Sequence, residues 1–254
     1  MSAGETVSPP TLGSEHATHE HPAHVAHHFD TAEQQFDAGK LGMWLFLAQE
    51  VLFFAGVFCI YAVYRANHPE IFVYAHRFLD VRLGALNTSV LILSSLTAAW
   101  AVRAAQLGKQ RTLVFNLVAT VVLAFVFLGV KGVEYEHKWK EGLLWGRHYK
   151  PTEVSEVHHA TPPTSGIASA MDEEHGPAVA PHNVHIFFGI YFTMTGLHGL
   201  HVIAGIIVFL WLLRRARRGD FGSHNYGAVD GGALYWHLVD LVWIYLFPLL
   251  YLVH

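Results

Sequence analysis

The chain has 254 residues, of which 52% are hydrophobic and 14% charged, with a formal net charge of −4. Soluble domains carry about 25% charged residues, so this composition indicates a protein embedded in lipid, and the small net charge gives no sign of a nucleic-acid partner. The single cysteine, Cys59, excludes a disulfide framework and a cysteine-ligated zinc or iron–sulfur site within the chain.

Five apolar runs follow one another along the chain. They cover residues 41–64, 82–105, 112–133, 184–213 and 233–253. Each has about the 20 residues that a helix needs to cross the hydrocarbon core. Their hydrophobicity is continuous rather than alternating, which favours helices over barrel strands. The predicted fold class is therefore all-α: a polytopic membrane helical bundle with about five transmembrane helices.

The segments between the runs complete the predicted organisation. Residues 1–40 form a polar, histidine-rich N-terminal segment, and residues 41–135 contain transmembrane helices 1–3. Residues 136–182 are rich in proline and polar residues, which is typical of an extramembrane loop. Residues 183–254 contain transmembrane helices 4–5.

The orientation in the membrane rests on one dense basic cluster, because the Lys and Arg residues as a whole divide almost evenly between the two sides. The cluster ends the fourth run and consists of Arg214, Arg215, Arg217 and Arg218. The positive-inside rule then predicts a cytoplasmic N-terminus and a periplasmic C-terminus. The same arginines are candidates for binding phospholipid head groups.

Glu50 is an acid inside the first run. It lies nine residues into the run, which is about 13 Å along a helix. A carboxylate at that depth costs several kcal/mol unless it is neutral, paired or beside water. Two interpretations stay open: a proton-accepting carboxyl, or a protonated acid hydrogen-bonded to a neighbouring helix. We expect His198 or His201 to be its partner.

Two histidines, His198 and His201, lie three residues apart in the fourth run, on one face of a helix. His237 opens the fifth run, and Asp240 follows it three residues later. Such residues could bind a metal, ligate haem or relay protons together with Glu50.

A fourth interpretation is interhelical hydrogen bonding, with Gly196 and Gly199 letting backbones approach. This is the commonest role of membrane histidines. Haem is disfavoured because His198 and His201 are predicted in mid-span, whereas His237 is predicted near an interface.

Other polar residues enter the second and third runs. Asn87 and Thr88 are expected to hold helices together by hydrogen bonds. Lys131 and Glu134, near the end of the third run, are spaced to pair on one helix face. The long side chain of Lys131 is expected to extend outward to the interface.

Each run carries a motif, and the motifs occur in a consistent order. They are residues 42–56 (GMWLFLAQEVLFFAG), 86–91 (LNTSVL), 127–135 (FLGVKGVEY), 195–202 (TGLHGLHV) and 235–243 (YWHLVDLVW). Together they resemble subunit III of cytochrome c oxidases, in the short five-helix bacterial form. Glu50 falls on the family's membrane carboxyl, and Asn87, Glu134, His237 and Asp240 match other polar positions of its motifs. Lys131 departs from the family, where a glutamine is common.

The resemblance implies a function for the chain. It would be the non-catalytic subunit III of a haem–copper cytochrome c oxidase in aerobic respiratory electron transport, in a bacterial inner membrane. The haems and copper ions would belong to partner subunits I and II, with no catalytic residue, metal ligand or cofactor in this chain. Subunit III braces subunit I, holds phospholipid and supports proton uptake. A larger respiratory supercomplex is a further partner left open.

Two alternatives from other classes remain at this stage. One is a haem-binding membrane cytochrome built on His198, His201 and His237. The other is a proton or ion transporter centred on Glu50. Transporters often show repeated halves and interrupted helices, and neither is visible in this sequence.

Overall fold

The computed structural model describes residues 31–140, 183–223 and 225–252. Its helices are α1 (Ala32–Asn67), α2 (Pro69–Ala75), α3 (Val81–Gln106), α4 (Gln110–Lys140), α5 (Val184–Arg218) and α6 (Gly227–Tyr251), with one 3₁₀ turn at His76–Phe78. All except α2 and the 3₁₀ turn are long and apolar enough to cross a membrane, which gives five candidate spans among the described residues. The predicted all-α membrane bundle is confirmed.

Capping residues fix several helix ends. The Thr31 side chain accepts from the Gln34 backbone N–H at 3.1 Å and starts α1. Asp80 starts α3 in the same way, accepting from the backbone N–H of Arg82 at 2.8 Å. Such side chains satisfy N–H groups that have no partner within the helix. Gly219 ends α5 with φ of 82°, a left-handed conformation that suits glycine.

The helices α3, α4, α5 and α6 form the bundle, whereas α1 lies at its edge. Helix α1 contacts mainly α6 and α2, and its buried apolar residues are Leu47, Phe54 and Tyr61. Helix α2 packs on α5, where the rings of Phe72 and Phe187 are 5.2 Å apart. Much of α1 therefore presents an apolar surface outside this chain's own core.

Contacts between helix ends show which ends share a membrane face. The rings of Phe36 on α1 and Tyr226 beside α6 lie 5.8 Å apart, so these two helices start at the same face. The Gln110 side chain at the start of α4 donates to the Ala216 carbonyl near the end of α5. Only residues 219–226 separate the end of α5 from the start of α6, so these two ends are also at one face. The start of α1 and the arginine cluster at the end of α5 therefore lie at the same face, and the end of α1 lies at the other.

Some helices extend further than their apolar runs. Helix α1 begins at Ala32, within the segment predicted as N-terminal and polar, and α4 continues to Lys140, into the predicted loop. A Glu136–Lys140 ion pair of 2.7 Å supports the last turn of α4. Hydropathy identifies only the part of a helix that lies in lipid, so it does not detect polar extensions at the helix ends. The histidine-rich residues before 31 and residues 141–182 lie outside the described residues.

Candidate functional site: the intramembrane polar groups

Glu50 of α1 and His201 of α5 are brought together in the structure. The His201 Nε2 atom lies 2.9 Å from a Glu50 carboxylate oxygen, and the two side chains are 17% and 12% exposed. The other ring nitrogen, Nδ1, lies 2.8 Å from the Leu197 carbonyl oxygen of its own helix. The Phe54 ring packs against His201 at 4.9 Å. The pair therefore ties the peripheral α1 to the bundle.

His198 has different surroundings from His201, although the two are one helical turn apart. It is fully buried between the rings of Phe127 (5.6 Å) and Trp243 (5.1 Å). Both of its ring nitrogens lack a hydrogen-bond partner among the described residues. The three-residue spacing separates the side chains by about 60° around the helix, which is enough to direct them to different neighbours.

Glu134 is the centre of a buried cluster that joins three helices. Its carboxylate accepts from Lys131 at 2.8 Å and Lys138 at 3.3 Å, both on α4. The hydroxyls of Tyr191 on α5 and Tyr251 on α6 donate to it at 2.7 and 2.6 Å. The expected Lys131–Glu134 pair is present. The expected outward extension of Lys131 is wrong, because its side chain is 8% exposed and turns inward to this carboxylate.

Neutral hydrogen bonds connect α3 and α6. Ser95 Oγ lies 2.6 Å from His237 Nδ1, and the Trp243 indole donates to Thr88 at 3.1 Å. Asp240 is buried close to Ser95, and its two oxygens have no hydrogen-bond partner among the described residues. Asn87 is also fully buried, and its amide has no described partner.

The expected position of His237 at an interface needs correction. Helix α6 begins at Gly227, so His237 lies ten residues, or about 15 Å, along it. The preceding glycine-rich turns did not look helical in the sequence. They are held by packing of the buried Val229 and by Asp230, whose charge favours a helix start.

The expected role of Gly196 and Gly199 is also wrong. A Cβ atom added at either position would meet none of the described residues within 4 Å, so neither glycine supports a close approach between the described helices. Gly205 does, because a Cβ there would come within 2.5 Å of the Trp236 ring. The close contact of α5 with α6 depends on this position.

The arginine cluster at the end of α5 is partly engaged. Arg215 pairs with Asp220 at 3.2 Å, and its guanidinium lies over the Trp211 ring at 5.1 Å. Arg214, Arg217 and Arg218 are exposed. These three have their charges available to a ligand at the membrane surface.

Sequence reasoning missed three partners of Glu134. Lys138 follows it at i+4, a spacing that could have been recognised. Tyr191 and Tyr251 carry no local signal, because their approach depends on how α5 and α6 pack. Among the described residues, no group of three or more His, Cys, Asp or Glu side chains is placed to hold a metal ion.

Comparison with known proteins gives the family. A family model described as cytochrome c oxidase subunit III matches residues 21–140 and 178–254. A probable cytochrome c oxidase subunit 3 of Nocardia farcinica is 30% identical over 84% of this chain and 87% of that protein. A probable quinol oxidase subunit 3 of Staphylococcus epidermidis is 25% identical over 91% of this chain and 96% of that protein. Cytochrome c oxidase subunit 3 of Arabidopsis thaliana is 27% identical over 84% of this chain and 67% of the plant protein.

The family match covers all five candidate spans and the motifs that contain Glu50, Asn87, Glu134, His201 and His237. The expectation drawn from these motifs is confirmed. The chain belongs to the cytochrome c oxidase subunit III family, and it is a subunit of a haem–copper oxidase.

Proposed function

We propose that this chain is an accessory subunit that braces subunit I, binds phospholipid and supports proton supply. The haems and copper ions of the complex then belong to subunits I and II. The protein lies in a bacterial inner membrane, with its N-terminus in the cytoplasm and its C-terminus in the periplasm. The arginine cluster at the end of α5 supports this orientation.

The observation that carries the proposal is how the site histidines are used. His201 contacts Glu50 and a backbone carbonyl, and His237 contacts Ser95. His198 is enclosed by aromatic rings. Each therefore serves a contact within or between helices, and the three do not converge on one ligand. Helix contacts are the commonest role of such residues in membranes.

The brace role is supported by the apolar surface of α1. Large apolar side chains that are at least 47% exposed line this helix: Trp44, Leu45, Leu52, Phe53 and Ile60. Lipid or a neighbouring subunit must cover them. We assign part of this surface to subunit I, with the Glu50–His201 pair holding α1 in place.

Phospholipid binding is assigned to the exposed arginines Arg214, Arg217 and Arg218. Basic residues near a membrane surface attract anionic head groups by about 1 kcal/mol each. Native mass spectrometry of the oxidase should show fewer retained anionic lipids when these arginines are replaced by glutamine. Unchanged retention would contradict the assignment.

Proton supply is assigned to His237, Ser95 and Asp240. His237 is half-buried and lies 2.6 Å from Ser95, and the buried Asp240 follows it by three residues on the same helix. Ionisable residues inside a membrane, such as Asp and His, often mark proton relays. We expect His237→Gln and Asp240→Asn to lower turnover at high pH while the haem spectrum stays unchanged.

The matched control is Asp230→Asn, which changes a half-buried acid in the first turn of the same helix. It should leave turnover as in the wild type. If the His237 and Asp240 variants behave like this control at every pH, the subunit does not supply protons and its role is structural.

The experiment for the whole proposal is removal of this chain from the purified oxidase. Sustained turnover should then decay earlier than in the intact complex, because bracing, lipid and proton supply are lost together. Full activity through prolonged turnover at every pH would limit the subunit to assembly.

A further inference from the structure

A groove of about 710 Å³ lies between α1, α2 and α6, at the membrane face where α1 ends. Aromatic and small apolar side chains line it, together with one charged residue, Arg65. The lining includes Phe58, Ala62, Ala66 and Tyr245. None of the intramembrane polar groups of the candidate site lines this groove, so it is a separate feature of the molecule.

Arg65 is held in place in this groove without an anionic partner from the described part of the chain. Its half-buried guanidinium donates to the Tyr61 hydroxyl at 3.3 Å, and that hydroxyl donates to the Leu249 carbonyl of α6. No described carboxylate lies within ion-pair distance of Arg65, and Glu70, the nearest acid in sequence, is 3.5 Å from His68. A guanidinium has five N–H donors, so most of those of Arg65 remain available to an anion.

The groove has the composition of a protein contact site. The rings of Phe58 and Tyr245 are 6.4 Å apart, and Tyr245 is 65% exposed. Aromatic residues and arginine are enriched in protein interfaces, where they supply much of the binding energy. Ala62 and Ala66 are both exposed and lie four residues apart on α1. Small residues at this spacing let a second membrane helix approach closely, so the groove fits a helix of a neighbouring subunit.

The groove is continuous with the outer face of α1. Val63, which is 60% exposed, lies beside Ala62 and Ala66 on this helix. The same outer face carries the exposed Leu52 and Ile60, which belong to the apolar surface assigned above in part to subunit I. A subunit that covers this face therefore also reaches the groove.

We propose that subunit I docks in this groove and places the carboxylate of an Asp or Glu residue on Arg65. The two groups form a pair with two parallel hydrogen bonds, because guanidinium and carboxylate match in this geometry. Apolar side chains of the same segment of subunit I pack against Phe58, Ala62 and Tyr245. The inference rests on the proposed brace role and adds to it an anchor at the membrane face where α1 ends.

The test is zero-length cross-linking in the intact oxidase that carries Arg65→Lys. A water-soluble carbodiimide activates a carboxylate, which then forms an amide with an amine in direct contact. The expected product joins position 65 of this chain to an Asp or Glu of subunit I, and mass spectrometry of the linked peptides identifies that acid. A phospholipid phosphate at this position gives no product between two proteins.

The matched control is Arg82→Lys, which replaces an exposed arginine at the start of α3, on the same membrane face and outside the groove. Position 82 should give no product with subunit I. The proposal is overturned if position 65 links to no subunit or to a subunit other than I, or if positions 65 and 82 link to subunit I equally.

The anchor should also slow the release of this subunit from the oxidase in detergent. Arg65→Gln should speed release about tenfold, the factor expected for loss of a hydrogen-bonded contact between charged groups. Arg82→Gln should leave the release rate as in the wild type. Exchange of the two charges, with Arg65→Glu and arginine in place of the identified acid of subunit I, should restore slow release. Equal release rates of the Arg65→Gln and Arg82→Gln complexes would overturn the proposal.

A map of the wild-type complex in nanodiscs provides a test without substitutions, in case the Arg65 variants do not assemble. A carboxylate of subunit I is expected at the Arg65 guanidinium, and phosphate density or another subunit in that position would overturn the proposal. Photo-cross-linking from Leu52, midway along α1, separates this failure from failure of the brace role. If Leu52 reaches subunit I and position 65 does not, the docking inference alone is wrong, whereas both are wrong if neither position reaches it.

Discussion

Glu50 and Glu134 are both acids within membrane-spanning helices, and they have different surroundings. Glu50 has one described partner, His201, and joins a peripheral helix to the bundle across a partly exposed contact. Glu134 is buried and accepts from four side chains on three helices. Glu50 therefore stabilises one contact at the edge of the bundle, whereas Glu134 joins three helices in its core. The comparison shows that position and partner number decide the role of a membrane carboxylate.

The largest effect is expected for Glu134→Gln. The substitution leaves Lys131 and Lys138 buried without their anion, and breaking a buried pair costs about 3–5 kcal/mol. Thermal unfolding of the complex should show early loss of this subunit. The control is Glu136→Gln, two residues away, whose exposed pair with Lys140 contributes little to stability. Equal stability of the two variants would mean that the buried ion pairs of Glu134 stabilise the subunit no more than the exposed pair of Glu136.

A smaller effect is expected for Tyr251→Phe, which removes a hydroxyl that donates to Glu134 and accepts from Lys131. A hydrogen bond to a charged group contributes about 1.5–3 kcal/mol, so stability should fall by less than in Glu134→Gln. The exposed Tyr245, changed to Phe, provides the control. If Tyr251→Phe and Tyr245→Phe have the same thermal stability, the Tyr251 hydroxyl does not stabilise Glu134, and the two lysines are its main partners.

The smallest effect is expected for Glu50→Gln. Glutamine can still hydrogen-bond His201, and interhelical hydrogen bonds in membranes average about 0.6 kcal/mol. Assembly and electron transfer, followed by subunit content and oxygen consumption, should stay close to wild type. Loss of oxygen reduction in a fully assembled Glu50→Gln complex would instead give this carboxyl a direct part in proton transfer.

The sequence predicted the membrane helices well, because the length and continuity of the apolar runs follow directly from bilayer thickness. It also predicted that Glu50 pairs with His198 or His201, because an unpaired charge inside the membrane costs free energy. The pairing of Lys131 with Glu134 was predicted from their spacing on one helix face. It could not choose between His198 and His201, because that depends on where α1 lies against the bundle.

Other features could not be predicted from the sequence, because they arise from helix packing or from polar helix extensions. Tyr191 and Tyr251 reach Glu134 from helices that lie 57 and 117 residues away in the chain. The six glycine-rich residues at the start of α6 precede the apolar run, so the sequence did not indicate that they are helical. His237 was therefore predicted too close to the membrane surface. Gly205 has no distinctive neighbours in sequence, yet it admits the Trp236 ring.

The central claim is that this chain acts on the oxidase without holding a redox centre. The most direct measurement is the haem and copper content, with the reduced-minus-oxidised spectrum, of the complex purified with and without this subunit. The account predicts identical content and spectra while subunits I and II remain intact. Loss of a haem or copper signal on removal of this chain would contradict it.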